Sequence, residues 1–79
     1  MLTIEQIYLN DSEAAYIYYP EGNKETFGEV KINLADGNAT IEKIASNDMT
    51  HRYAGHALHR LRSYYNENHF LATDLVAWG

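Results

Sequence analysis

The sequence predicts a small α+β domain: an antiparallel meander of about four or five strands with one amphipathic helix packed on one face. Three observations carry this. The first half of the chain is filled by short segments rich in β-branched and aromatic residues, separated by turn clusters. A single long stretch, Asp48 to Asn66, repeats its apolar residues with helical period. The whole chain has 79 residues, the size of one domain.

The first strand is expected over Thr3 to Leu9, followed by the turn cluster Asn10-Asp11-Ser12-Glu13. The second, Ala14 to Tyr19, is stopped by Pro20, which cannot donate to a sheet ladder. Side chains alternate along a strand, so Ala15, Ile17 and Tyr19 share one face and Tyr16 and Tyr18 the other. Both faces carry apolar bulk. Gly22-Asn23 offers positive φ in the next turn. From Phe27 to Leu34 the alternation is clean, with Val30, Ile32 and Leu34 on one side and Glu29, Lys31 and Asn33 on the other. The Asp36-Gly37 pair is a type I′ hairpin signal, and Ala39 to Ala45 makes a fourth strand.

Ser46, Asn47 and Asp48 supply short oxygen-bearing side chains for a helix cap, placing the helix start between Asn47 and Thr50. At 100° per residue, Tyr53, Ala54, Ala57, Leu58, Leu61, Tyr64 and Tyr65 fall in one arc that must pack. The rest of the circumference is basic, with His51, Arg52, His56, His59, Arg60 and Arg62. Asn66 or Asn68 can take the left-handed stop conformation. A last strand is expected within Leu71 to Trp78. The crossover through a helix would set it parallel to the fourth strand, the alternative being antiparallel pairing elsewhere.

A chain of this size buries only about 60% of its unfolded surface. Without cysteine there is no disulfide to compensate. Stability must come from packing, or from a partner that covers leftover apolar surface, so a homodimer or protein partner is expected. Tyr16 and Tyr18, on the face opposite Ile17, are the candidate partner contacts. The first residues show no basic segment followed by an apolar run, and no stretch reaches membrane-spanning length, so a cytoplasmic protein without membrane contact is expected. The net charge is −5, with nine acids against three lysines over residues 1 to 48 and two acids against three arginines beyond. An acidic surface repels phosphodiester backbones, which argues against nucleic acid as a partner.

His56 and His59 stand three apart on the helix, close enough in direction to share a metal, but no Glu-x-x-His or His-x-x-x-His motif accompanies them and no metal site is expected. No serine lies in a nucleophile elbow and there is no thiol. The thin core, the missing disulfide and a second strand with apolar bulk on both faces favour a non-enzymatic binding or self-association module that needs no cofactor.

One motif points elsewhere. Arg52-Tyr53-Ala54-Gly55-His56-Ala57 fits Arg-x-x-Gly-x-Ala. It resembles the acyl-coenzyme A pyrophosphate motif of the GNAT acetyltransferase superfamily, Gln/Arg-x-x-Gly-x-Gly/Ala, which follows a strand and opens a helix. The resemblance implies a minimal acyl-coenzyme A binding protein or acetyltransferase, with acetyl-coenzyme A as cofactor and Arg52, Gly55 and Ala57 as its cofactor loop. It also implies a tyrosine such as Tyr64 or Tyr65 as leaving-group acid. The physical basis would be anion binding at a helix N-terminus.

Overall fold

The computed structural model describes Met1–Trp78. Its elements are β1 (Leu2–Leu9), β2 (Glu13–Pro20), β3 (Gly28–Asn33), β4 (Ala39–Lys43), α1 (Arg52–Glu67) and β5 (Thr73–Val76). The strands form one sheet in the order β4-β3-β2-β1-β5, every neighbouring pair antiparallel, and α1 packs on one face of it. This is the α+β architecture read from the sequence. Among the described residues no helix is long and apolar enough to cross a membrane.

The last strand settles the pairing left open above. It does not lie parallel to β4 but antiparallel to β1, at the opposite edge, with Leu2 opposite Val76 and Glu5 opposite Thr73. α1 starts after the β4 edge and touches β3, β4, β2 and β5, so it carries the chain across the sheet before it re-enters. β5 is also shorter than the apolar run from Leu71. Leu71 itself stands outside the ladder, its carbonyl accepting the Tyr16 hydroxyl at 2.6 Å.

The helix covers the face bearing Leu2, Ile4, Ala14, Tyr16, Tyr18, Val30, Ile32 and Ala39. Against these it sets Ala54, Ala57, Leu61 and Tyr64, all on the predicted arc. Small residues at 54 and 57 let α1 approach closely, and the tyrosines fill the remaining depth. Gly28 is required here. Opposite Tyr18 in the β2–β3 register, it has no side chain, and a Cβ would collide with the Tyr18 ring and with the Lys43 carbonyl. The empty position lets the ring lie across β3.

The turn at Asp36-Gly37 is wider than the sequence signal suggests. Only Gly37 has positive φ (74°), and the loop is closed by Gly37 N–H to the Asn33 carbonyl (2.8 Å) and Asn33 N–H to the Asn38 carbonyl (2.9 Å). The Tyr65 ring packs on the bare Gly37, which ties this hairpin to the helix. α1 stops at Asn68, in the left-handed conformation with φ 53°, its N–H directed to the Tyr64 and Tyr65 carbonyls.

Candidate functional site

The start of α1 is where the sequence motif falls, and a side chain already occupies it. Asp48 is 2% exposed. One carboxylate oxygen accepts the Tyr53 N–H at 3.0 Å; the other accepts the Ala54 N–H at 2.8 Å and the Tyr18 hydroxyl at 3.0 Å. The Tyr18 oxygen in turn accepts the Ala45 N–H at 3.0 Å. The residue directly before the helix is His51, with φ 60° and no side-chain cap bond, so Asp48 caps from three residues further back. Of the three candidate caps, it is the one within reach of the core. A negative group beside the first-turn N–H groups is what the helix dipole favours.

Around this start the motif residues diverge. Arg52 is exposed, its guanidinium 5.9 Å from the centre of the Trp78 ring. Gly55 is exposed with open space where a Cβ would stand, and its N–H is bonded to the His51 carbonyl at 2.9 Å. Ala57 faces the sheet, fully buried. Arg52 and Gly55 share a surface; Ala57 does not reach it. Trp78 stacks on His56 at 3.8 Å and meets Tyr53 edge-on at 5.5 Å, covering this end of the helix.

Tyr16 and Tyr18, expected as partner contacts, are both fully buried. The reason is parity: the helix lies on their face, so the side chains left outward on β2 are those of Ile17 and Tyr19. Neither Tyr16 nor Tyr18 has exposed surface in this fold. Burial, with smaller effects from its hydrogen-bonding partners, pushes the Tyr18 hydroxyl up to about 12. Burial also raises Tyr16, and it raises Tyr64, with Asp74 adding to the effect.

A second polar cluster joins α1 to β5. The Asp74 carboxylate accepts the Tyr64 hydroxyl at 2.5 Å, Arg60 Nη1 at 3.1 Å and the Leu75 N–H at 2.8 Å. Tyr16 lies beside Tyr64, ring centres 5.7 Å apart, and accepts from Gln6 Nε2 at 3.2 Å. A cleft of about 190 Å³ opens alongside, lined by Arg60, Ser63, Tyr64, Glu67, His69 and Leu71. Tyr64, proposed from the resemblance as a leaving-group acid, spends its proton on Asp74 and holds it tightly; Tyr65 lies half-buried on the Gly37 turn. Among the described residues no three His, Asp or Glu side chains converge as metal ligands.

What remains open is the far end of β1. β5 pairs with Leu2 to Glu5, and one further bond, Gln6 N–H to the Ala72 carbonyl at 2.8 Å, ends that contact. Among the described residues, Ile7, Tyr8 and Leu9 beyond it have no strand on that side. A register shift between Gln6 and Tyr8 leaves Ile7 without a partner on β2 as well. Ile7 and Leu9 are 45% and 46% exposed. Beside Leu9 runs a groove of about 500 Å³ whose other walls include Leu34, His69 and Phe70. The sequence shows these residues as one apolar strand; their exposure follows from β5 being shorter than β1, which no local pattern reveals.

Fold and surface together define a two-layer α+β domain with one incompletely paired sheet strand. No protein-family model, curated protein or solved structure matches the chain.

Proposed function

We propose that the protein is a small non-enzymatic binding or self-association module whose contact surface is the free end of β1. The observation that carries this is the segment Ile7 to Leu9: apolar, about half exposed, and unpaired along one side of its backbone. Unpaired strand edges recruit further strands, because each added strand satisfies main-chain donors and acceptors while burying side chains. The carboxylates of Asp48 and Asp74 support the reading from the other side, since the hydrogen bonds each accepts come from within the fold.

The resemblance offers a second reading, binding of an acyl-coenzyme A at Arg52, Gly55 and Ala57. That chemistry needs free N–H groups in the first helical turn. Those of Tyr53 and Ala54 point at Asp48. A backbone-amide NMR titration with acetyl-coenzyme A, run at a low and a high protein concentration, separates the two. The module reading expects concentration-dependent shifts at Ile7 to Leu9 and no response over Arg52 to Ala57. Saturable shifts confined to Arg52 to Ala57, and abolished by Arg52→Glu, would replace it with the cofactor reading.

A further inference from the structure

We infer that the free end of β1 takes a foreign extended segment in which a basic side chain stands two positions from an apolar one. The apolar side chain enters the groove beside Leu9, and the basic one meets Asp11. The inference rests on the module reading and names the chemistry of its partner.

The main chain sets the direction of approach. The Asn10 N–H bonds the Glu13 carbonyl at 3.0 Å, so residue 10 turns its polar groups toward β2. Hydrogen-bonded and non-hydrogen-bonded pairs alternate along an antiparallel ladder, and Leu9, the next pair along with Ala14, therefore turns its own N–H and carbonyl to the open side. A segment laid along that side completes both bonds. Directly opposite residues of two strands share a face of the sheet, so the residue bonded to Leu9 sends its side chain where Leu9 sends its own. That is the groove of about 500 Å³ whose apolar walls are Leu9, Leu34 and Phe70. Its volume lies within the range of pockets that hold ligands.

Charge decides what kind of segment this is. Asp11 lines the same groove and is exposed, and among the described residues its side chain has neither an ion pair nor a hydrogen bond. The neighbouring acids are engaged: Glu5 with Lys24, and Glu13 with Lys31 at 3.9 Å and with the Tyr8 hydroxyl. No lysine or arginine lines the groove; besides Asp11 its one ionisable wall is His69. Residues two apart on a strand share a face, and Asp11 stands two positions beyond Leu9. A long basic side chain two positions from the groove-filling residue therefore spans to Asp11. A second copy of this chain would bring more acid to the edge, since the net charge is −5, whereas a basic segment brings the missing countercharge.

The test is an amide NMR titration of about 50 μM protein, dilute enough to keep contact between copies low, at about pH 7.5, where imidazole is largely uncharged. The probes are three acetylated and amidated peptides: Thr-Lys-Thr-Leu-Thr-Lys-Thr, its glutamine counterpart and its glutamate counterpart. Lysine on both sides of the leucine serves either strand direction. The expected result is saturable shifts at Ile7 to Asp11, Leu34 and Phe70. The lysine peptide should bind about two- to fivefold more tightly than the glutamine one, with the glutamate peptide weakest, as an exposed ion pair allows. Asp11→Lys should reverse that order. Glu25→Lys, the same change of charge at an exposed position outside the groove, should preserve it. An order that survives Asp11→Lys, or three peptides that bind alike at these residues, overturns the basic partner and keeps the binding module. No shift at these residues with any peptide also overturns the inference; the module reading then falls with it unless raising the protein concentration moves Ile7 to Leu9.

Discussion

Asp48 and Asp74 each accept three hydrogen bonds, one of them from a tyrosine hydroxyl, yet they hold different things. Asp48 takes only neutral donors, two of them main-chain N–H groups, and is sealed between β2 and the helix start. Asp74 shares its charge with Arg60 and lies at the sheet edge, where it fastens a strand of four residues. One carboxylate sets where an element begins; the other keeps a short element attached. The cost of removing each should differ accordingly, because a buried donor left without an acceptor loses its full solvation whereas a partly exposed one turns to water.

The comparison breaks most sharply at Asp48→Ala. It strands the Tyr18 hydroxyl and two first-turn N–H groups, and should lower stability by roughly 2–4 kcal/mol in urea denaturation. Asp48→Asn keeps an acceptor oxygen and should lose about half as much. Next comes Asp74→Ala, at roughly 1–2 kcal/mol. Its effect should be local: amide exchange should quicken over Thr73 to Val76 and their partners Leu2 to Glu5 ahead of the rest of the sheet. Uniform quickening would put Asp74 in the same class as Asp48.

Tyr18→Phe sharpens the contrast through pH. Its hydroxyl ionises near 12 in the folded chain against about 10 when unfolded. A raised value means the folded state holds the proton more tightly, so the contribution to stability is complete below about pH 10 and is lost as pH rises toward 12. Tyr18→Phe should cost about 1 kcal/mol at neutral pH and flatten the alkaline decline of the melting temperature. The decline that persists reports the other buried tyrosines. Arg60→Ala is the smallest effect. The guanidinium is about one-third exposed, and its loss should cost about 0.2–1 kcal/mol, diminishing with salt.

Most of the fold was legible because single elements carry their own signals. The alternation of Val30 and Ile32 with Glu29 and Lys31 is the buried and wet sides of β3, and the arc from Tyr53 to Tyr65 is the packed face of α1. Asn68 stops the helix as its residue type suggests. What could not be read depends on which elements meet. β2 is apolar on both sides, so nothing local says that the helix covers Tyr16 and Tyr18 rather than Ile17 and Tyr19. Ser46, Asn47 and Asp48 are equivalent caps until the Tyr18 hydroxyl selects one. The exposed edge at Ile7 to Leu9 exists only because β5 ends its pairing near Gln6.

The tyrosine that crosses bare Gly28 also has a consequence for how the chain reaches its folded state. Tyr18 and Asp48 are 30 positions apart, and between them lie β3 and β4. Their bond closes a loop that contains β3 and β4, and loop closure must be met before the contact can reward it. The first helical turn is therefore anchored only after β2, β3 and β4 have come together. A peptide holding residues 46 to 68 alone would keep its capping aspartate but not the core that buries it. Helix and sheet in this molecule should form and dissolve as one cooperative unit, with the hydroxyl of Tyr18 as the hinge between them.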